Sequence, residues 1–147
     1  MAASRRTQEQ GGVVNKLKHL EFIQTIISRM ASNTFYIRGW SITLISALIV
    51  FFVKSDSPHY LGYFFTIVVV IFWISHAYFL DVERSYRALY DQVRLTNEED
   101  IDFSLNATSF RNARMKFLPL ALSFPVLIFY APLTLITFLS TIFIGGK

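Results

Sequence analysis

The composition of this 147-residue chain is that of a membrane protein rather than of a soluble enzyme. Hydrophobic residue types make up 53% of the sequence and charged types only 16%, against about 25% charged residues in a typical soluble domain. The 15 Phe, 7 Tyr and 2 Trp exceed what one small core can bury, and this hydrophobicity excludes a disordered chain. Because there is no cysteine, disulfides, thiol catalysis and cysteine-ligated metal centres are also excluded.

The 14 basic residues form alternating large and small groups along the chain. Uncharged stretches occupy residues 39–53, 57–80 and 117–146, and the basic residues before, between and after them number six, one, six and one. In membrane proteins the excess of Lys and Arg lies on the cytoplasmic side. The sequence therefore predicts an all-α membrane protein with three transmembrane helices, a cytoplasmic N-terminus and a C-terminus on the opposite side.

The first two predicted spans are continuous with long cytoplasmic helices. Residues 1–12 are expected to form a flexible cytoplasmic tail. Apolar residues at spacings of 3, 4 and 7 then predict a long helix over 13–54 that contains the first span. Residues 57–95 begin with Ser57-Pro58, a pair typical of a helix start, and predict a second span with a cytoplasmic extension.

A linker and a proline-bent helix complete the chain. Residues 96–116 are predicted to be a cytoplasmic acidic linker followed by a basic segment. The third span is predicted over 117–145. Its three prolines, Pro119, Pro125 and Pro132, each remove a helical hydrogen bond, so they are expected to bend or break this helix.

The sequence contains few groups that could perform catalysis. His19, His59 and His76 lie on three different segments, and no known catalytic or nucleotide-binding motif occurs. The predicted spans contain no Asp, Glu, Lys or Arg, whereas ion-coupled transporters keep an ionisable residue at mid-depth. We therefore predict that the protein is not an enzyme, with no catalytic residue, metal ligand or cofactor.

Hydroxyl residues on the third span suggest a narrow aqueous path. Five of them recur at spacings of 7, 4, 3 and 4, which places them on one helical face. One alternative is that they bond back to their own helix or join helices. His76, in the second span, is either a pore residue or an interfacial histidine. The predicted pore-lining residues are His76, Ser123, Tyr130, Thr134, Thr137 and Thr141.

Arginines interleaved with tyrosines form the candidate ligand surface. Arginine and stackable aromatic side chains are what a single-stranded nucleic acid or nucleotide site uses. The alternative is the ordinary cytoplasmic excess of positive charge, in contact with anionic lipids. The predicted ligand-binding residues are Arg84, Arg87, Tyr90, Arg94, Arg111 and Arg114.

Three runs of the sequence resemble a family of small bacterial inner-membrane proteins. They are residues 20–40, which begin Leu-Glu-Phe-Ile-Gln, residues 83–94, which begin Glu-Arg-Ser-Tyr-Arg, and residues 129–133, Phe-Tyr-Ala-Pro-Leu. The resemblance extends over about residues 15 to 145 and is to membrane effectors of anti-phage defence operons, most nearly those of the Hailong system.

The resemblance implies an oligomeric ion channel, a homotetramer, in the bacterial inner membrane with its C-terminus periplasmic. A partner nucleotidyltransferase would make a single-stranded DNA oligomer that holds the channel closed. Release of the DNA on infection would then depolarise the membrane and cause growth arrest or death. Two alternatives remain open at this point, a membrane effector gated by a cyclic nucleotide and a passive membrane anchor or assembly subunit.

Overall fold

Helices dominate the structure, a computed structural model, and no strand occurs in the backbone that it describes. The all-α class predicted from the sequence is therefore confirmed. The structure describes the backbone of residues 2–54, 60–113 and 117–144, and the side chains of residues 11–51, 62–111, 119–139 and 142.

Two long helices and three shorter ones follow each other along the described chain. The two long helices are separated by a short connection, and a single 3₁₀ turn, Glu98–Asp100, lies in the acidic linker. In chain order the helices are α1 (Ala2–Lys54), α2 (Tyr60–Leu95), α3 (Thr108–Ala113), α4 (Phe117–Ala121) and α5 (Phe124–Ile144).

Helix α1 begins earlier than the sequence predicted. The expected flexible tail, residues 1–12, is helical from Ala2 onward, so the predicted start at Val13 falls inside the helix. The early residues Ala, Arg, Gln and Glu are good helix formers. Extending an existing helix also costs far less than starting one. The two adjacent glycines, Gly11 and Gly12, weaken this part of α1 but do not interrupt it.

The predicted third helix is divided into α4 and α5 by a turn. The break falls one turn before Pro125, and the carbonyl of Ser123 accepts hydrogen bonds from the amides of Val126 and Leu127 at 3.0 and 2.9 Å. Ser123 thus occupies the N-cap position of α5, while its hydroxyl donates back to the Leu120 carbonyl. Pro125 lies in the first turn, where an amide has no helical partner to lose. Pro132 is the proline inside α5.

The chain forms two compact units, and both long helices contribute to each of them. The charged unit consists of Met1–Ala31 and Asp81–Met115, and the apolar unit consists of Ser32–Leu80 and Lys116–Lys147. Arg38 is the one charged side chain among those described in the apolar unit.

The core of the charged unit joins α1, α2 and the acidic linker. Ile23 and Ile27 of α1 meet Leu89 and Val93 of α2, and Ala107 closes the cluster from the linker. Spacings of four residues on each helix bring both pairs to one face. The apolar spacing predicted from the sequence is confirmed here, whereas Val13, which shares the predicted pattern, is 45% exposed.

A lysine side chain ties the end of α2 to α1. Lys16 Nζ donates to the carbonyl oxygens of Arg94 at 3.2 Å and Thr96 at 2.7 Å. These carbonyls belong to the end of the helix, where no backbone amide remains to bond them. The positive charge also matches the negative end of the helix dipole. Lys16 therefore acts as a C-terminal cap for α2.

Two helices, α1 and α2, are long and apolar enough to cross a membrane, through Gly11–Phe51 and Gly62–Leu95. In their most apolar windows only 17% and 22% of the residues are buried within the chain. The apolar part of α5, Phe124–Leu139, is shorter.

Replacement of the capping lysine should destabilise the charged unit. We expect Lys16→Met to lower the free energy of unfolding by about 1 kcal/mol, because two charge-assisted hydrogen bonds to the end of α2 are lost from a partly exposed site. Hydrogen exchange at the amides of residues 92–96 should accelerate.

The matched control is Lys18→Met, which removes the same charge two residues later from an exposed side chain. Both variants would be unfolded thermally in the same detergent. Equal losses of stability in the two variants would show that charge alone, and not the cap, accounts for the effect.

Candidate functional site

A cluster of polar side chains lies buried in the apolar unit. His76, Ser41 and Tyr130 are each 0% exposed, and they come from α2, α1 and α5. The Arg38 guanidinium, through Nη2, lies 3.2 Å from His76 Nε2. The imidazole and the Tyr130 ring meet edge to face at a centroid distance of 5.4 Å. Arg38, Ser41, His76 and Tyr130 are called the polar cluster below.

Several atoms of the polar cluster lack partners in the described structure. Because arginine can only donate, His76 Nε2 accepts from Arg38, and a neutral ring then carries its proton on Nδ1. His76 Nδ1, Arg38 Nε and the Tyr130 hydroxyl are buried without a hydrogen bond. The Ser41 hydroxyl lies beside that of Tyr130, and its own proton is donated to the Arg38 carbonyl at 2.8 Å. Three unpaired groups in one buried place are unusual in a folded protein.

The indole of Trp73 holds Tyr130 and the end of α4 in place. Its ring stacks on Tyr130 at a centroid distance of 6.0 Å and an interplanar angle of 9°. Trp73 Nε1 donates to the carbonyl of Ala121, the last residue of α4, at 2.9 Å. This bond satisfies a carbonyl at the break between α4 and α5, so one α2 side chain positions both parts of the predicted third span.

Three of the five hydroxyls predicted to line a pore, those of Ser123, Thr134 and Thr137, bond to backbone carbonyls three or four residues earlier in the chain. Ser123 Oγ donates to the Leu120 carbonyl at 2.6 Å, and Thr134 Oγ1 donates to the Tyr130 carbonyl at 2.8 Å. Thr137 Oγ1 lies within hydrogen-bonding distance of two carbonyls one turn earlier in α5 and is buried. This is the back-bonding alternative that the sequence left open, observed in a single chain. The side chain of Thr141 lies outside the described residues.

The arginines predicted to bind a ligand are partly neutralised by carboxylates. Arg87 binds Glu83 at 2.8 Å, Arg94 lies 3.5 Å from Asp91, and Arg111 Nε donates to Asp81 at 3.0 Å. Arg84 is exposed and makes no ion pair within the described chain. Arg114 lies outside the described residues.

Helix geometry nevertheless brings three of these arginines to one side of α2. Arg84, Arg87 and Arg94 are separated by three and seven residues, so they share an exposed face, which is called the arginine face below. Asp91 lies on the same face between the last two. Tyr90 is partly buried against the core of the charged unit, so its ring is engaged in packing rather than presented with the arginines.

Several of these contacts have no signature in the sequence. Arg38 directly precedes the uncharged stretch 39–53, and nothing in the local pattern links it to a histidine 38 residues away. No group of three or more potential metal-binding side chains occurs in the described part of the chain. No protein-family description matches this sequence, and comparisons with curated proteins and with solved structures give no match either.

Removal of the unpaired phenol hydroxyl should not weaken the fold. We expect Tyr130→Phe to raise the free energy of unfolding by about 1 kcal/mol, because a buried polar group without a hydrogen bond carries an uncompensated desolvation cost. Tyr63→Phe is the matched control, since Tyr63 is 55% exposed and lies outside the polar cluster. A loss of stability in Tyr130→Phe, measured by thermal unfolding in detergent, would mean that the hydroxyl is bonded in the folded protein.

Proposed function

We propose that this chain is an integral inner-membrane protein that assembles into a homo-oligomeric ion channel. The observation that carries the proposal is the inverted polarity of the apolar unit. His76, Ser41 and Thr137 are buried, whereas Trp40 and Phe124 are 67% and 75% exposed. Water would penalise such a surface heavily, and a bilayer or a second copy of the chain would not.

The low burial of the two long helices supports the same proposal. A core helix of a soluble protein is mostly buried, whereas only 17% and 22% of the most apolar windows of α1 and α2 are buried. In the proposed topology α5 is the third span, the N-terminus is cytoplasmic and the C-terminus is periplasmic. The basic residues of the charged unit then satisfy the positive-inside rule.

A channel of this kind requires several copies of the chain. Three helices cannot enclose an aqueous path around themselves, so the path would form on a symmetry axis between subunits. The resemblance to defence effectors favours a tetramer. The polar cluster and the hydroxyls of α5 are the groups in the apolar unit that could interact with water or ions once the helices rearrange.

The arginine face is the proposed site of a cytoplasmic anionic ligand. A single-stranded DNA oligomer, made by a partner nucleotidyltransferase, would bind there and hold the channel closed. Loss of the DNA during phage infection would open the path, depolarise the membrane and arrest the cell. Helices α1 and α2 belong to both compact units, so they are the elements through which ligand binding would affect the path.

Electrical recording tests the channel directly. We expect the purified protein, reconstituted into planar bilayers, to conduct ions and to close when a single-stranded oligonucleotide is added on the charged-unit side. Double-stranded DNA of the same sequence is the ligand control. The protein would first be sized in detergent by light scattering. A monomer there, or no conductance with and without DNA, would leave a passive membrane anchor as the better description.

Charge changes on the arginine face should alter DNA affinity in opposite directions. Arg84→Ala should weaken single-stranded DNA binding about fivefold and reduce the salt dependence by about one phosphate contact, since Arg84 is free of ion pairs within the described chain. Asp91→Asn should strengthen binding, because it releases Arg94 from a competing carboxylate.

Arg29→Ala is the control for the arginine face, as Arg29 is an exposed cation on α1. Affinity would be measured by fluorescence anisotropy at several salt concentrations, with cyclic nucleotides as competitors. Unchanged affinity in both Arg84→Ala and Asp91→Asn would place the ligand elsewhere. Displacement of the DNA by a cyclic nucleotide at lower concentration would favour that ligand class.

A further inference from the structure

The charged unit contains a cavity that is open to the surface and separate from the arginine face. Its volume is about 470 Å³, which falls within the range of small-molecule sites, roughly 300 to 1,000 Å³. It lies between α1 and the linker that follows the 3₁₀ turn, and no acidic side chain lines it in the described structure. The lining residues are Asn15, Lys18, His19, Phe22, Phe103 and Leu105.

A buried histidine with an unused nitrogen forms part of the cavity wall. His19 is 4% exposed, and its Nε2 has no hydrogen-bond partner among the described residues. The imidazole meets the Phe103 ring edge to face at a centroid distance of 5.5 Å. Buried side-chain nitrogens in folded proteins almost always have a partner. This nitrogen is closed off from solvent, so His19 contributes to the wall through its packing against Phe103.

The opposite wall depends on a strained backbone. Phe103 has a φ of 53°, and it is the one non-glycine residue with positive φ in the described chain. For a bulky side chain this conformation is a genuine outlier, and such strain is concentrated at binding sites. The Ser104 amide donates to Asp102 Oδ1 at 2.9 Å and so holds the turn. The ring remains 43% exposed, so the strain brings it to the cavity without burying it in a core.

We propose that this cavity binds a small planar aromatic anion, of one or two rings with a carboxylate or phosphate substituent. The faces of Phe22, which is 62% exposed, and Phe103 would contact the aromatic ring. The Lys18 ammonium would bind the anionic group, since no acidic side chain lines the cavity in the described structure. His19 would hold the Phe103 ring in position through their edge-to-face contact.

This site requires neither the channel nor the DNA ligand of the proposed function. Every residue that it uses belongs to the charged unit. The arginine face lies on α2, and none of its arginines lines the cavity.

Titration of the full-length protein in lipid nanodiscs with 2-naphthoate tests the chemical class. Binding would be detected by saturation-transfer NMR and quantified by calorimetry. We expect saturable binding of 2-naphthoate, with 2-naphthamide and cyclohexanecarboxylate at least about tenfold weaker, because the first lacks the charge and the second lacks the aromatic face. Equal affinity for naphthoate and naphthamide, or no saturable binding of naphthoate, would overturn the proposal.

Variants then test the location. Phe103→Gly should weaken naphthoate binding about tenfold while the thermal midpoint stays equal or rises, since glycine tolerates positive φ. Phe22→Ala should weaken naphthoate binding by a similar factor, and because Phe22 is exposed the fold should not depend on it. Lys18→Gln should weaken naphthoate binding about fivefold. Arg29→Gln, an exposed charge change on the same helix outside the cavity, is the control. Naphthoate affinity that is unchanged in all three cavity variants contradicts the assignment.

Discussion

The uninterrupted course of α1 and α2 is the constraint on which the rest of the structure depends. No proline or other strong breaker occurs within Ala2–Lys54 or Tyr60–Leu95, so each helix must form two different packing surfaces along its length. In the charged unit the shared surface is a small aliphatic core around Ile23 and Leu89. In the apolar unit the same helices pair through Ile45 and Val69 and bury polar groups beside them. Phe110 of α3 packs against the first of these cores, and Val126 and Tyr130 of α5 belong to the second.

The apolar unit is organised by polar contacts more than by hydrophobic ones. Apolar side chains cover the outside of this unit as well as its inside, so different arrangements of its helices would bury similar amounts of apolar surface. Directional contacts make that distinction instead. Trp73 fixes Tyr130 by stacking and the end of α4 by a hydrogen bond, and Arg38 is bonded to His76. The unpaired atoms that remain give this arrangement an energetic cost.

In the charged unit, the number of arginines on a surface does not by itself determine how strongly that surface attracts an anion. Three arginines predicted to bind a ligand are bonded to Glu83, Asp91 and Asp81. Exposed pairs of this kind contribute little to stability, but each reduces the positive potential that an anion would meet. The cavity beside His19 is less basic, yet no carboxylate lines it in the described structure. An anion that entered the cavity would therefore meet a lysine with no carboxylate in the lining, whereas on α2 it would compete with the carboxylates already paired with arginines.

From the sequence alone, the helical class, the two long apolar helices and the apolar spacing around Ile23 and Ile27 could be predicted, because these depend on local periodicity and on the absence of breakers. The sequence also indicated that Ser and Thr of the third span had a back-bonding alternative. It could not show that α4 and α5 separate at Ser123, that Lys16 caps α2 or that Arg38 meets His76. Those contacts join residues far apart in the chain, and only the tertiary arrangement of the helices determines which of them come within hydrogen-bonding distance.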